Sequence, residues 1–312
     1  MTADPKSEPS AAPAEQKAWK TLDLLKVTTD HFKKKGIESA RLDAEVLLAH
    51  TLGCKRLDLY VHFDRAVPPE KLSAFREVVR QRSAGRPVKY ILGRSEFMSL
   101  ELAVSEAVLI PRPETETVVE AAVEKLQAMT DRPEPLVMDL GTGSGCIAVS
   151  IAVEIRNARL IATDLSPEAL AVAKANAERH GVAGRIQLLQ GDFLDAVAGS
   201  GMEGLVDLIV SNPPYVSEAE LPTLAPEVRL YEPKAALVAG PDGLAAYQKI
   251  VPAALGFLRA GGWLVLELGR GQLDAVRAVA EAAGGYEAIA SVKDYLKIDR
   301  AFLARKKINP EN

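Results

Sequence analysis

The chain has 312 residues, of which 26% are charged and 48% hydrophobic, with a net charge of -4, enough for one large domain or a medium domain with a smaller companion; two domains are expected. No apolar stretch reaches the roughly 18 to 20 residues that span a bilayer, and residues 1–16 lack the basic start and apolar core of a secretory leader, so a soluble, cytoplasmic protein without membrane contact is expected. The two cysteines, Cys54 and Cys146, lie far apart in apolar surroundings and read as buried thiols, while His31, His50, His62 and His180 are scattered without ligand spacing; neither a disulfide framework nor a metal site is expected.

Residues 1–16 are rich in Ala, Pro, Ser and Glu and carry no large apolar residue after Met1, so a disordered tail is expected there. Over residues 17–89 apolar residues recur at three- and four-residue steps: Leu22, Leu25 and Val27, then Leu42, Val46, Leu47 and Leu48, then Leu72, Phe75, Val78 and Val79. This predicts a small helical bundle, punctuated by Gly36, Gly53 and Pro68-Pro69. Basic residues outnumber acidic ones in this first third and the reverse holds beyond it, which suits either docking of an acidic partner or ordinary solvated helix faces. An isoelectric point near 5.8 argues against a protein that coats nucleic acid.

Over residues 90–110 the pattern shifts to short strands through Phe97, Leu100, Leu102, Val104 and Val108-Leu109-Ile110, which predicts a β-hairpin connector. The segment Pro111-Arg112-Pro113-Glu114-Thr115-Glu116 then supplies a Thr or Glu cap for a helix through Leu126. After Pro135 strand and helix alternate. Strands are expected at 136–140, 159–163, 186–190, 205–210, 263–268 and 301–304, with helices at 146–153, 167–180, 243–258 and 272–283. Residues 111–312 are therefore expected to form an α/β, doubly wound, Rossmann-like domain with a mostly parallel sheet, binding its ligands at the carboxyl ends of the strands.

Each motif that bears on chemistry falls at such an end. Gly141-Thr142-Gly143-Ser144-Gly145 follows the first strand; it lacks the sixth-position glycine of a dinucleotide fingerprint and the Lys-Ser/Thr ending of a phosphate loop, and suits a nucleoside without a pyrophosphate. Asp164 ends the next strand, where a carboxylate accepts from both ribose hydroxyls, although Asp164 or Ser166 is also placed to cap the following helix. At the third strand end Phe193 is expected against an adenine, with Asp192 accepting from its amino group; an aromatic there also serves as plain core. Together the three strand ends describe a site for S-adenosylmethionine. Asn212-Pro213-Pro214-Tyr215 ends a further apolar strand. The Asn212 side-chain oxygen and the Pro213 carbonyl each accept one hydrogen of a substrate NH2, and Tyr215 packs on the flat group that carries it. Paired prolines also make plain turns.

Four segments carry a resemblance: Leu109 to Glu116, Asp139 to Gly145, Ser211 to Tyr215, and Tyr231-Glu232-Pro233 followed by Gly240-Pro241-Asp242-Gly243-Leu244. From about residue 20 onward the chain resembles the peptide chain release factor N(5)-glutamine methyltransferase family, known as PrmC or HemK. The resemblance implies a methyltransferase for the glutamine of the Gly-Gly-Gln motif of release factors, with the N-terminal helices helping to hold that substrate. It assigns cofactor contact to residues 141–145, Asp164, Phe193 and Asn212, and glutamine contact to residues 212–215. Near the C-terminus the family tends to have a glycine between Asp and Arg, whereas here Asp294 to Arg300 contains none. Two relatives in chemistry compete: a ribosomal-protein glutamine methyltransferase, and an adenine-N6 DNA methyltransferase, which needs base flipping and an extended basic path along phosphates. The Pro111–Glu116 segment looks more like the release-factor branch, and the acidic catalytic half argues against direct nucleic-acid contact.

Overall fold

The structure, a computed structural model, describes residues 19–308, and its contacts divide the chain after Ala84 into two units. The tail expected over residues 1–16 lies outside the described residues.

The first unit is helical: α1 (Thr21–Lys34), α2 (Ala40–Leu52), α3 (Asp58–Val61) and α4 (Pro69–Ser83). Gly53 ends α2 in the left-handed region, and Pro69 starts α4, where its missing N–H costs nothing. Its core holds Leu24, Leu25, Phe32, Leu47, Leu48, Leu59 and Phe75. Leu22, Val27 and Leu42 were expected on the buried face, yet they are about half exposed, because the inward stripe of α1 also runs through Thr21, Thr28 and Thr29, and that of α2 through Asp43 and Glu45. A count of apolar residues passes over those polar positions. The ion pair of Arg82 Nε with Asp43 Oδ2, at 2.7 Å, is buried here.

The second unit opens with α5 (Val88–Leu92) and an antiparallel hairpin, β1 (Arg94–Phe97) and β2 (Leu100–Ala103). No strand forms at 108–110, where one was expected. That backbone is satisfied by side chains instead: Val108 O accepts from the Tyr90 hydroxyl at 2.6 Å, and Ile110 N donates to Glu232 Oε2 at 3.2 Å. Helix α6 (Pro113–Ala128) follows, with Arg112 as its N-cap residue and no side-chain cap hydrogen bond. The expected Thr or Glu cap is absent: the Thr115 hydroxyl is turned to Glu267, and Glu116 Oε1 accepts from Met98 N at 2.7 Å.

Strands and helices then alternate as β3 (Leu136–Leu140), α7 (Cys146–Glu154), β4 (Arg159–Asp164), α8 (Pro167–Arg179), β5 (Ile186–Gln190) and β6 (Val206–Ser211). They continue with α9 (Pro226–Tyr231), α10 (Ala245–Phe257), β7 (Leu258–Glu267), α11 (Leu273–Ala283), β8 (Tyr286–Lys293) and β9 (Asp299–Lys306). The sheet order is β5-β4-β3-β6-β7-β9-β8; the first five are parallel, and β9 and β8 close the edge as an antiparallel hairpin. This is the doubly wound α/β sheet expected. Alternate residues face opposite ways: Val137, Leu160, Leu208 and Val265 pack with α6 and α7, while Met138, Ile161, Ile209 and Leu264 pack with α10 and α11. Strand β8 was not anticipated. It is an edge strand with a bulge, its exposed positions are Ala288, Ala290, Val292 and Lys293, and only Tyr286 is buried, so no clear apolar alternation marks it.

The β8–β9 turn contains no glycine between Asp294 and Arg300. Lys297 occupies the left-handed region at φ +63° instead. Asp294 holds the turn: its Oδ1 accepts from Leu296 N at 2.9 Å and Ile298 N at 3.1 Å, and its Oδ2 accepts from Arg300. A left-handed residue with a Cβ costs roughly 1–2 kcal/mol, partly offset by the entropy that glycine loses on folding. Lys297→Gly is accordingly expected to stabilise the protein by up to about 1 kcal/mol, seen as a higher urea midpoint; a lower midpoint contradicts strain at this position.

Candidate functional site

Chain order reverses between β3 and β6, so the loops that leave these neighbouring strands diverge and open a crevice at their carboxyl ends. The Ser211 hydroxyl donates to Leu140 O across that junction at 2.6 Å. A cavity of about 230 Å³ lies there, walled by the glycine loop, Asp164, Gly191-Asp192-Phe193, Asn212, Pro214 and segments 107–115 and 233–236.

The glycine loop is fixed from within. Asp139 Oδ2 accepts from Thr142 Oγ1 at 2.6 Å and Ala148 N at 3.2 Å, and burial pushes this carboxyl up to about 7. Thr142 N donates to Thr163 O at 2.8 Å. Gly141, Gly143 and Gly145 all have positive φ, and a Cβ on Gly145 would stand 3.1 Å from that of Ala173 on α8. Glycine is therefore needed both for backbone conformation and for the approach of two helices.

Asp164 lines the cavity and holds backbone as well: Oδ2 accepts from Gly143 N at 2.8 Å and Oδ1 from Ser166 N at 3.0 Å. Ser166 caps α8, its Oγ accepting from Ala169 N at 3.0 Å. Of the two readings open for Asp164, the cap thus falls to its neighbour. Phe193 lines the cavity at φ +52°, its ring 3.5 Å from where a Cβ on Gly141 would stand. Asp192 Oδ2 accepts from Lys249 Nζ at 2.5 Å.

Asn212 and Pro214 line the cavity, whereas Gly145, Pro213 and Tyr215 do not. Asn212 Nδ2 donates to Thr115 Oγ1 at 3.2 Å, Thr115 donates to Glu267 Oε2 at 2.6 Å, and the Tyr215 hydroxyl donates to Glu267 Oε1 at 3.2 Å. Glu267 is 1% exposed, and burial pushes its carboxyl up to about 7 despite the bond from Thr115 and the nearby Arg300. Behind the loop, Gln272 Nε2 donates to Tyr215 O at 3.0 Å, and a Cβ on Gly243 would lie 2.4 Å from that same oxygen. Gly243, part of the segment 240–244 noted in the sequence, is thus where another backbone presses on the Asn212 loop.

Several positioning residues escaped the sequence reading. Asn176, fully buried on α8, donates to Ser144 O at 2.8 Å and Ala103 O at 3.0 Å and accepts from Ala103 N at 2.6 Å, tying the glycine loop to the hairpin. Glu232 joins Arg112 at 2.5 Å and Ile110 N, so the segments 109–116 and 231–233 that stood out separately are one wall. Glu267 follows an apolar run, and only its charge at a strand end marked it. Cys54 and Cys146 are free and half-buried, not buried as expected; Cys146 faces the cavity. Among the described residues no group of three or more His, Cys, Asp or Glu is placed to hold a metal ion, and no helix is long and apolar enough to cross a membrane.

A family model described as "PrmC N-terminal domain" matches residues 23–93, and one described as "Methyltransferase small domain" matches residues 120–240. The release factor glutamine methyltransferase of Chlorobaculum tepidum is 45% identical over 92% of this chain and 97% of its own length. That of Rhodopirellula baltica is 43% identical over the same shares, 92% and 97%. Among solved structures, the hMettl16 catalytic domain in complex with MAT2A 3'UTR hairpin 1 superposes with a TM-score of 0.53 at 16% identity, covering 73% of this chain and 81% of that one; the likeness is one of fold.

The close approach at Gly243 yields a test. Gly243→Ala must move either the Tyr215 carbonyl or its own segment, at φ +76°, and is expected to destabilise by about 1–3 kcal/mol. A urea titration with an unchanged midpoint would show that the two backbones do not meet as described.

Proposed function

The chain belongs to the release factor glutamine methyltransferase family, and from that premise we propose that it transfers a methyl group from S-adenosyl-L-methionine to the side-chain amide nitrogen of the glutamine in the Gly-Gly-Gln motif of peptide chain release factors. The observation that carries this reading is that the glycine loop, Asp164 and Asn212 wall one cavity. The residues present suit the cofactor. Gly141 leaves space beside Phe193 that a Cβ would take, and the Asp164 carboxylate, with one backbone donor on each oxygen, keeps lone pairs for ribose hydroxyls. When bound, S-adenosylmethionine supplies the methyl group as an electrophile on a sulfonium.

Residues 141–145 would then let the nucleoside approach the backbone, and Phe193 would flank the adenine. Asn212 Oδ1 and the Pro213 carbonyl would accept the two amide hydrogens, with Pro214 bounding the flat group and Tyr215 backing the loop through its bond to Glu267. An amide nitrogen is a poor nucleophile, and its lone pair carries no proton that must be removed before transfer. The residues 212–215 therefore act by positioning, from which roughly 7–11 kcal/mol is available in principle. The helical unit is proposed as a docking domain for the substrate protein, so an isolated Gly-Gly-Gln peptide is expected to show a much higher KM than intact release factor; equal KM values count against docking.

The assignment is tested by supplying labelled S-adenosylmethionine with purified release factor, ribosomal protein or DNA. Label on the release-factor glutamine is expected; label on either alternative substrate alone overturns the reading. Asp164→Ala is expected to weaken cofactor binding by about 1.5–3 kcal/mol, and calorimetry showing unchanged affinity removes Asp164 from the site. Asn212→Ala is expected to lower kcat on the order of a hundredfold with little change in cofactor affinity. Replacing the substrate glutamine by glutamate abolishes transfer, since a carboxylate offers no NH2; methylation of that variant excludes the assigned roles.

A further inference from the structure

We propose that Thr115 and Glu267 are positioning residues that lock the Asn212 amide with its oxygen, not its nitrogen, toward the cavity. The inference rests on the role given to Asn212 above. Its starting point is that an Asn side chain is nearly symmetric in shape, so that only its hydrogen-bond partners decide which atom faces a substrate.

Those partners form a directed relay. At its far end, ionised Glu267 has two oxygens and no proton to give, and both oxygens are engaged, Oε2 by Thr115 and Oε1 by Tyr215. The single hydroxyl proton of Thr115 is therefore committed to Glu267, and its oxygen is left only as an acceptor. The Asn212 atom that meets it at 3.2 Å must be the one that carries hydrogens, Nδ2. Among the described residues no donor engages Oδ1. The polarity of a buried carboxylate is thus transmitted through one hydroxyl to the amide that meets the substrate NH2. An inverted Asn212 would present NH2 to NH2, two donors with no acceptor between them.

The relay depends on the charge of Glu267. Once protonated, the carboxyl is able to donate to Thr115, whose own proton then turns toward Asn212 and favours the inverted amide. Glu267 is drawn toward this change by burial and by Glu114 on α6, and held back by the bonds from Thr115 and Tyr215 and by Arg300 on β9. Cys146 on α7 and Tyr247 on α10 also face it, both with their pKa values raised, and neither brings a positive charge. Its carboxyl is pushed up to about 7, within the range of an activity assay. The sign follows: the correct amide orientation is held above that value and lost as pH falls through it.

Thr115→Val keeps the shape and removes the hydroxyl. In the full chain, with intact release factor as substrate, it is expected to lower kcat on the order of tenfold to a hundredfold at pH 8 while the Kd for S-adenosylmethionine stays within about threefold. Thr115→Ser is expected to recover most of the loss. Glu267→Gln, which breaks the relay at its far end, is expected to lower kcat in the same way. The fall of wild-type kcat below about pH 7 should flatten in Thr115→Val, where Asn212 no longer reports the state of Glu267. Wild-type kcat in Thr115→Val overturns the proposal, as does a Ser variant no better than the Val variant, an unaltered pH profile, or a collapse of cofactor affinity alongside kcat. If wild-type protein leaves release factor unlabelled, the assigned function fails; if it turns over and Thr115→Val matches it, only the relay fails.

Discussion

The parallel pairing of β3 with β6 is the constraint on which the rest depends. These two strands are adjacent in space and far apart in the chain, and successive strands on either side are laid down in opposite directions from them. The loop after β3 must therefore turn one way and the loop after β6 the other, which leaves a gap that neither fills. Both strands are buried on both faces, so their apolar sequences fix register and hold the two loop origins in place. The Ser211 hydroxyl on the Leu140 carbonyl seals the junction at the point where the loops part.

Around that gap the unit is organised by carboxylates that act as acceptors for neighbouring backbone and side chains. Asp139 holds the glycine loop to α7, Asp164 holds Gly143 and the start of α8, Glu232 holds segment 110–112, and Glu267 holds Thr115 and Tyr215. Each places its charge where donors converge, and each would be costly to bury alone. Asp139 and Glu267 are the two most enclosed, and burial shifts them toward neutrality, whereas Glu232 has the Arg112 guanidinium to meet it. The acidic balance of the second part of the sequence thus has a structural use at the site as well as a solvated surface.

What the sequence made legible follows from the range of the interactions involved. Period-two and period-3.6 apolar patterns are local, and the strands expected at 136–140, 159–163 and 205–210 stand, with their helices, within two residues of where those patterns place them. Glycines that need positive φ, and the Asn212 segment at a strand end, are likewise local signals. The absent strand at 108–110, the missing cap on α6 and the edge strand β8 were hidden because partners distant in sequence decide them: Glu232 takes the Ile110 amide, Glu267 takes the Thr115 hydroxyl, and β9 pairs β8 although only Tyr286 of that strand is buried. Asn176 was invisible for the same reason, since nothing near it in the chain announces bonds to Ala103 and Ser144. Gly243 was visible as a motif but not as a cause until the Tyr215 carbonyl stood beside it.

The composition of the Asn212 segment extends this logic to discrimination. Pro213 and Pro214 have no N–H, so two consecutive backbone donors are deleted from the loop while its carbonyls remain. With the Asn212 nitrogen also turned away to Thr115, the groups that this stretch would offer a substrate are acceptors. Such a rim is matched by a group that brings hydrogens on both sides of one nitrogen and is mismatched by an oxygen bearing only lone pairs, because acceptors brought together unpaired lose their water without replacement. Under the function proposed here, selectivity for an amide over an acid therefore needs no charge to repel the acid. It follows from removing the backbone donors of Pro213 and Pro214 from this stretch and leaving its one rotatable amide no choice of orientation.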